Sequence, residues 1–254
     1  MLRYVRRGVK RGVKRGVKSI YALIALLSIE IIVLVGVFGG ALLAFIGIAK
    51  MVFKEKKENF DQHAFTFLAN QVNEINTNVM QAFSFLGTHI FLIPAILSLV
   101  AYFLFIKKHR WYSIKVPVVA ISSVLLMFLL KLIFQRDRPL TPLLKAAQGY
   151  SFPSGHALMS ITFYGLMIFL VWQNIKNIWV RWILTILLTM LIIFIGISRV
   201  YLRVHYFSDV LAGFCVGLMW LLLSLWILNK IEIFSRKKVD PVVVEPTMIS
   251  GTGS

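Results

Sequence analysis

Six apolar runs constrain this chain more than any other feature: about Ile20 to Ile48, Phe83 to Ile106, Val116 to Phe134, Ala157 to Trp172, Trp182 to Ile197 and Val210 to Leu228. Roughly 20 consecutive apolar residues cross a hydrocarbon core as a helix. The expected fold is therefore all-α: a polytopic membrane protein with six transmembrane helices. Composition agrees, since 59% of the 254 residues are hydrophobic and the mean hydropathy is +0.81, beyond an ordinary soluble domain.

The first run is far longer than the roughly 7 to 15 residues of a signal h-region, so it is expected to stay as an anchor. Ahead of it a four-residue unit repeats three times, Arg7-Gly8-Val9-Lys10 to Arg15-Gly16-Val17-Lys18, which with Arg3 and Arg6 makes eight cations. Such a segment suits the cytoplasmic side, near anionic lipid. It reads more simply as a solvated topogenic arm than as a binding module. Starting inside, the six spans put 18 of the 28 Lys and Arg on the inner side and 10 on the outer, the bias expected of a membrane protein. The setting implied is a bacterial inner (cell) membrane with both termini cytoplasmic. The expected organisation is a basic arm over 1–18, a six-helix membrane domain over 19–229 and an unstructured cytoplasmic tail over 230–254 that ends in GTGS. The net charge of +18 is then largely topology signal, and no nucleic-acid partner is needed. Cys215 is the single cysteine, which excludes an intramolecular disulfide and a cysteine metal cluster.

Between the first two spans, residues 50–81 carry Phe65, Leu68, Val72, Ile75 and Val79 at three- and four-residue steps, the pattern of an amphipathic helix lying on the outer membrane face. Glu30 is an acid inside the first run; it reads as lying nearer the cytoplasmic side, protonated or hydrogen-bonded to a neighbouring helix. Gly36 and Gly40 have GxxxG spacing and suggest close packing within the bundle.

Three short stretches carry chemistry, and all fall at outer ends of spans. In KLIFQRDRP, Lys131 and Arg138 are seven residues apart, so on a continuous helix they share a face; Pro139 is expected to end the segment. Two neighbouring cations repel unless an anion lies between them, although Lys131 alone would read equally well as an interface lysine. In FPSGHA, Pro153, Ser154 and Gly155 precede the fourth span and leave backbone N–H groups at the positive end of a helix dipole, an anion cradle. Ser154 adds a hydroxyl, Gly155 admits close approach to its amide, and His156 at the edge is placed to act as a general acid. In SRVYLRVHYFSD, Arg199 offers a planar fork for phosphate oxygens. The four-residue step from His205 to Asp209 puts both on one helical face, so the carboxylate can hold one ring nitrogen and free the other for attack. Taken alone, that pair would read as helix-stabilising. Tyr201, Arg203, Tyr206 and Ser208 receive no chemical role.

The three stretches together resemble the type 2 phosphatidic acid phosphatase (PAP2) family of membrane lipid phosphatases, whose pattern K-x6-RP, PSGH, SR-x5-H-x3-D is matched at every specified position. The resemblance is most secure from Phe83 to Leu228 and leaves out the basic repeat and the tail. It implies that His205 is a nucleophile forming a phosphohistidine, that Asp209 orients it, and that His156 protonates the leaving group and then activates water. It assigns phosphate binding to Lys131, Arg138, Ser154, Gly155 and Arg199. Fixed cations would supply the charge neutralisation that phosphoryl transfer needs, with no cofactor and no metal. The implied substrate is a lipid phosphate or polyprenyl diphosphate reached at the outer leaflet, among them phosphatidic acid, phosphatidylglycerol phosphate and a lipid A phosphate; no obligate protein partner is evident. The alternatives are a lipid phosphotransferase using the same phosphohistidine and a catalytically silent lipid-phosphate binding or transport protein. The second would need the cations but not His205, His156 and Asp209. Vanadium-dependent haloperoxidases share the cradle, but six spans do not suit that soluble class.

Overall fold

The computed structural model of the chain describes residues 29, 31–56, 59–140, 142–143 and 149–239. The basic repeat, Glu30 and the tail from Asp240 lie outside them. The described residues form helices and no strand: α1 Ile31–Lys54, α2 Asn59–Ala69, α3 Glu74–Leu86, α4 His89–Ala101 continued by a π turn to Ile106, α5 Arg110–Phe134, α6 Gly155–Asn174, α7 Ile178–Tyr201 and α8 Phe207–Val239. Six of these, α1 and α4 to α8, are long and apolar enough to cross a membrane.

α6 is the most enclosed span and packs against α5, α7 and α8. Its seam with α8 is made by backbone contact. A Cβ at Gly213 would stand 2.6 Å from the Ser154 carbonyl oxygen, and one at Gly217 would stand 2.8 Å from that of Leu158. Small residues at these two positions are what allow the helices to close, which in lipid substitutes for a hydrophobic drive. Around this pair, Phe103, Val116, Val119, Leu166, Leu221 and Leu225 fill the space shared by α5, α6 and α8. α1 is attached differently. None of its most apolar stretch is buried, and it reaches the bundle through Phe45 and Phe53, whose rings meet Phe134 and Phe152 at centroid distances of 5.2 to 6.0 Å. Nothing lies within 4 Å of where a Cβ would stand at Gly36 or Gly40, so the close packing expected of that pair is not found.

The segment expected to be one amphipathic helix is two. Asn73 ends the pattern by capping α3, its side-chain oxygen accepting the Asn76 N–H at 2.8 Å, and such a local bond competes with helix continuation. Phe65 and Leu68 of α2 pack on Val200, Val210 and Leu202, whereas Val72, Ile75 and Val79 are exposed. The second apolar run likewise divides at Gly87, and its membrane helix starts at His89 instead of Phe83.

The other end of the bundle also departs from expectation. Lys115, expected in a connection, is buried inside α5 and donates to Asn229 Oδ1 and Glu232 Oε2, both at 2.6 Å. Residues 230–239, expected to begin an unstructured tail, continue α8. A buried ammonium needs a counter-charge, and Glu232 supplies it from the last turns of that helix.

Candidate active site

The C-terminal ends of α5 and α7 and the N-terminal ends of α6 and α8 meet at one end of the bundle. There the Ser154 N–H donates to the Asp209 carbonyl at 2.9 Å and the Leu143 N–H to that of Leu202 at 3.0 Å. All three sequence stretches are thereby brought together.

α5 does not carry Lys131 and Arg138 on one continuous face, as the spacing predicts. It ends at Phe134 because Gln135 adopts a left-handed conformation (φ 42°). Arg138 follows on irregular backbone. The two cations still converge: Lys131 Nζ donates to the Tyr150 carbonyl at 2.5 Å, and Arg138 Nη2 reaches the same oxygen at 3.4 Å. Arg138 is further fixed through Nε to the Gly149 carbonyl and through Nη1 to the Val204 carbonyl, each at 2.8 Å. Its pKa is lowered from the ordinary value by burial, with Asp209 opposing. Arg199, near the end of α7, is 6% exposed and is held by Ser84 Oγ of α3.

His205 and Asp209 do not share a helical face either, since α8 starts at Phe207 and His205 lies in the turn before it. The pairing survives by another route. Asp209, in the first turn, reaches back to accept the Tyr206 N–H at 2.9 Å, a capping arrangement that fixes its carboxylate. Its Oδ2 then faces His205 Nδ1 at 3.5 Å, with Ser151 bridging the two: Ser151 Oγ donates to Asp209 Oδ2 and lies 3.2 Å from Nδ1. On the other side of the ring, Arg138 Nη1 stands 3.3 Å from Nε2. A guanidinium can only donate, so Nε2 is the acceptor and the proton belongs on Nδ1. Burial, helped by the Arg138 and Arg199 cations and opposed by Asp209, lowers the His205 pKa from 6.5 to about 4. The ring is therefore neutral at physiological pH with its Nε2 lone pair turned toward the cations.

Three buried side-chain atoms among the described residues have no hydrogen-bond partner: Ser154 Oγ, His156 Nε2 and Arg199 Nε. Unsatisfied buried polar atoms are scarce in folded proteins, and these three belong to the same end. His156, Arg199, Lys131, Arg138, Gly155 and His205 all line one cavity of about 940 Å³. Ser154 is buried beside it, and Asp209 lies behind His205 as its support. Gly155 has a packing role as well, since the place of a Cβ there is occupied by Met127 Sδ. Away from the cations the cavity is apolar and runs between α4 and α5, past Leu92, Ile96, Val124 and Leu125 as far as Pro117.

Sequence reasoning overlooked several supporting residues. Arg136 donates to Asp209 Oδ1 at 2.6 Å and to Asp61 Oδ2 at 2.9 Å, and its guanidinium lies 4.0 Å from the Tyr206 ring centre. Burial lowers its pKa, but Asp209 and Asp61 outweigh this and hold it above the ordinary value. Ser151, Ser84 and Asp61 were not singled out, and Ser208, given no role, bonds to both Arg136 and Asp61. Arg136 was visible as a third cation within KLIFQRDRP. The others show themselves only through contacts distant in the chain.

The model of the PAP2 superfamily matches residues 112–233. The chain is 31% identical over 160 residues to phosphatidylglycerophosphatase B of Bacillus subtilis (strain 168), covering 63% of this chain and 78% of that protein. It is similar in structure to a transmembrane PAP2 type phosphatidylglycerolphosphate phosphatase from Bacillus subtilis, with a TM-score of 0.70 at 26% identity over 76% of this chain and 96% of the other. Aquifex aeolicus LpxE shares the fold, with a TM-score of 0.51 at 22% identity over 65% of this chain and 94% of the other.

Proposed function

This chain belongs to the PAP2 superfamily and is a membrane lipid phosphatase, and we propose that it hydrolyses the phosphomonoester or diphosphate of an amphiphilic lipid through a phosphohistidine at His205. The observation that carries the reading is the placement of His205 Nε2, 3.3 Å from Arg138 Nη1, on the cavity that His156 and Arg199 line with unpartnered nitrogens.

In the first step the Nε2 lone pair attacks phosphorus and the bond to the lipid oxygen breaks, with His156 giving its proton to that oxygen. The ring gains positive charge, which Asp209 receives through Ser151. In the second step water attacks the phosphohistidine, its proton passes to His156, the P–N bond breaks and inorganic phosphate leaves. Lys131, Arg138 and Arg199, with the Ser154 hydroxyl and the Gly155 amide, neutralise the phosphoryl oxygens throughout. Because side-chain cations supply this charge, the reaction is proposed to be metal-independent. The apolar passage between α4 and α5 supports a substrate whose tail stays among lipid chains.

The charge bias of the connections supports cytoplasmic termini and a site facing the exterior or periplasm of a bacterial inner (cell) membrane. The Bacillus subtilis relative is named for phosphatidylglycerophosphate, so that lipid is the first substrate to test. His205→Ala should abolish phosphate release from a panel of lipid phosphates in detergent while the protein stays folded, and full activity in that variant would reject the assignment. Wild-type turnover should persist in EDTA. Labelled phosphate should appear in water; transfer to an added lipid acceptor instead would mark a phosphotransferase.

A further inference from the structure

Asp61 is a carboxylate on α2, outside the three motif stretches, yet its side chain is only 4% exposed. A buried carboxylate needs partners, and those of Asp61 all lead to the nucleophile. Its Oδ1 accepts the Ser208 N–H at 2.8 Å, one of the orphan donors of the first turn of α8. Its Oδ2 accepts from Ser208 Oγ at 2.7 Å and from Arg136 Nη2 at 2.9 Å. Arg136 uses its other terminal nitrogen for Asp209 Oδ1 at 2.6 Å. Ring contacts seat α2 on the same turn, Phe60 on Phe207 at 5.3 Å and Phe65 on Tyr206 at 5.9 Å between centroids.

The charges have a consequence beyond geometry. Attack by Nε2 leaves the His205 ring cationic, and Asp209 is the anion that receives this charge. Arg136, in direct contact with Asp209, would cancel that anion if it stood alone. With Asp61 on its far side, the group of three carries one net negative charge, and the anionic character next to His205 is restored.

We propose that Asp61 is a positioning residue for phosphoryl transfer: it caps the turn that bears Asp209 and balances Arg136, so that the nucleophile works only while α2 is docked on the site end of the bundle. This rests on His205 being the nucleophile. Asp61 does not touch the cavity; it acts through Arg136, Ser208 and Asp209.

The test uses the full chain in detergent micelles with phosphatidic acid as the probe. Asp61→Asn should lower kcat by roughly 100-fold, the scale of a small misplacement of reacting groups. KM and the inhibition constant of inorganic phosphate should change by less than about three-fold, because the cations are untouched. The double variant Asp61→Asn, Arg136→Gln should be no worse than the poorer single variant, because the second change removes the cation that would otherwise cancel Asp209. A folded Asp61→Asn with kcat within about two-fold of wild type, or a loss carried equally by phosphate binding, overturns the proposal. If Asp61→Asn does not fold, Arg136→Lys takes its place. It keeps the charge but loses the fork, and the same selective fall in kcat is expected, an unchanged kcat being the overturning result. His205→Ala run alongside separates the two readings. Activity there removes the nucleophile itself, whereas an inactive His205→Ala with an unaffected Asp61→Asn removes only the role of Asp61.

Discussion

His205 Nδ1 and Asp209 Oδ2 face each other at 3.5 Å and are joined through the hydroxyl of Ser151, which donates to the carboxylate and lies 3.2 Å from the ring nitrogen. A hydroxyl is suited to this place because it donates to one neighbour while accepting from the other.

Ser151→Ala removes that bridge and leaves the ring to meet the carboxylate directly across a longer gap. We expect kcat to fall roughly 10-fold with KM little changed, a cost typical of losing a supporting hydrogen bond to a charged group. Steady-state kinetics on a lipid phosphate in detergent check this. A Ser151→Ala enzyme with wild-type kcat would mean the relay is idle.

The pH dependence follows from the buried ring. Because the His205 pKa is lowered from 6.5 to about 4, the acid limb of kcat/KM should reach its half-point near pH 4 instead of near pH 6.5. Arg138 and Arg199 help burial to hold it down, and Asp209 holds it up, so Asp209→Asn should move the limb to still lower pH while reducing the rate. Stability has a matching sign. The unfolded ring takes up its proton first as pH falls, so this contribution to folding is intact above 6.5 and is lost progressively toward about 4. A pH–rate profile and thermal unfolding at several pH values test both statements.

Substrate length should be read by the passage between α4 and α5. Val124→Trp places a large ring in it, at a distance along α5 from Lys131 of about 10 Å by helical rise. Turnover of a long-chain lipid phosphate should suffer through KM, while a short-chain, water-soluble phosphate ester should be cleaved about as well as before. Equal losses on both would argue that tails do not occupy this space.

The far end of the bundle offers a control without chemistry. Glu232→Leu leaves the buried Lys115 ammonium with Asn229 as its remaining side-chain hydrogen-bond partner. A loss of about 2 kcal/mol is expected, below the usual cost of breaking a buried pair because Asn229 remains and Glu232 is partly exposed. Thermal unfolding should register this, with kcat unchanged in the protein that stays folded.

Apolar run length and the three stretches were enough to foresee six spans, and to nominate residues that converge at one end. Local geometry was less accessible. Lys131 and Arg138 were expected on one helix because nothing in KLIFQRDRP announces that Gln135, a residue with no preference for positive φ, will end it. His205 was placed on α8 because a four-residue step reads as one helical turn, although the same step here crosses a cap, with Tyr206 donating to Asp209. Asp61 and Ser84 could not be found at all from spacing. Each acquires meaning through a partner more than 70 positions away, Arg136 for one and Arg199 for the other. The Lys115 pair with Glu232 was hidden for the same reason.

The glycine seam between α6 and α8 brings the cradle of Ser154 to His156 against the turn that carries Asp209, whereas the tail passage is walled by α4 and α5. Of the residues proposed for the chemistry only Lys131 lies on a helix that also walls this passage, α5, and α4 carries none of them. Substitutions at Leu92 or Ile96 of α4 are therefore expected to retune which lipid is accepted while the proposed phosphate site stays in place, so one catalytic end could serve many lipids by rewriting a wall that carries none of its groups.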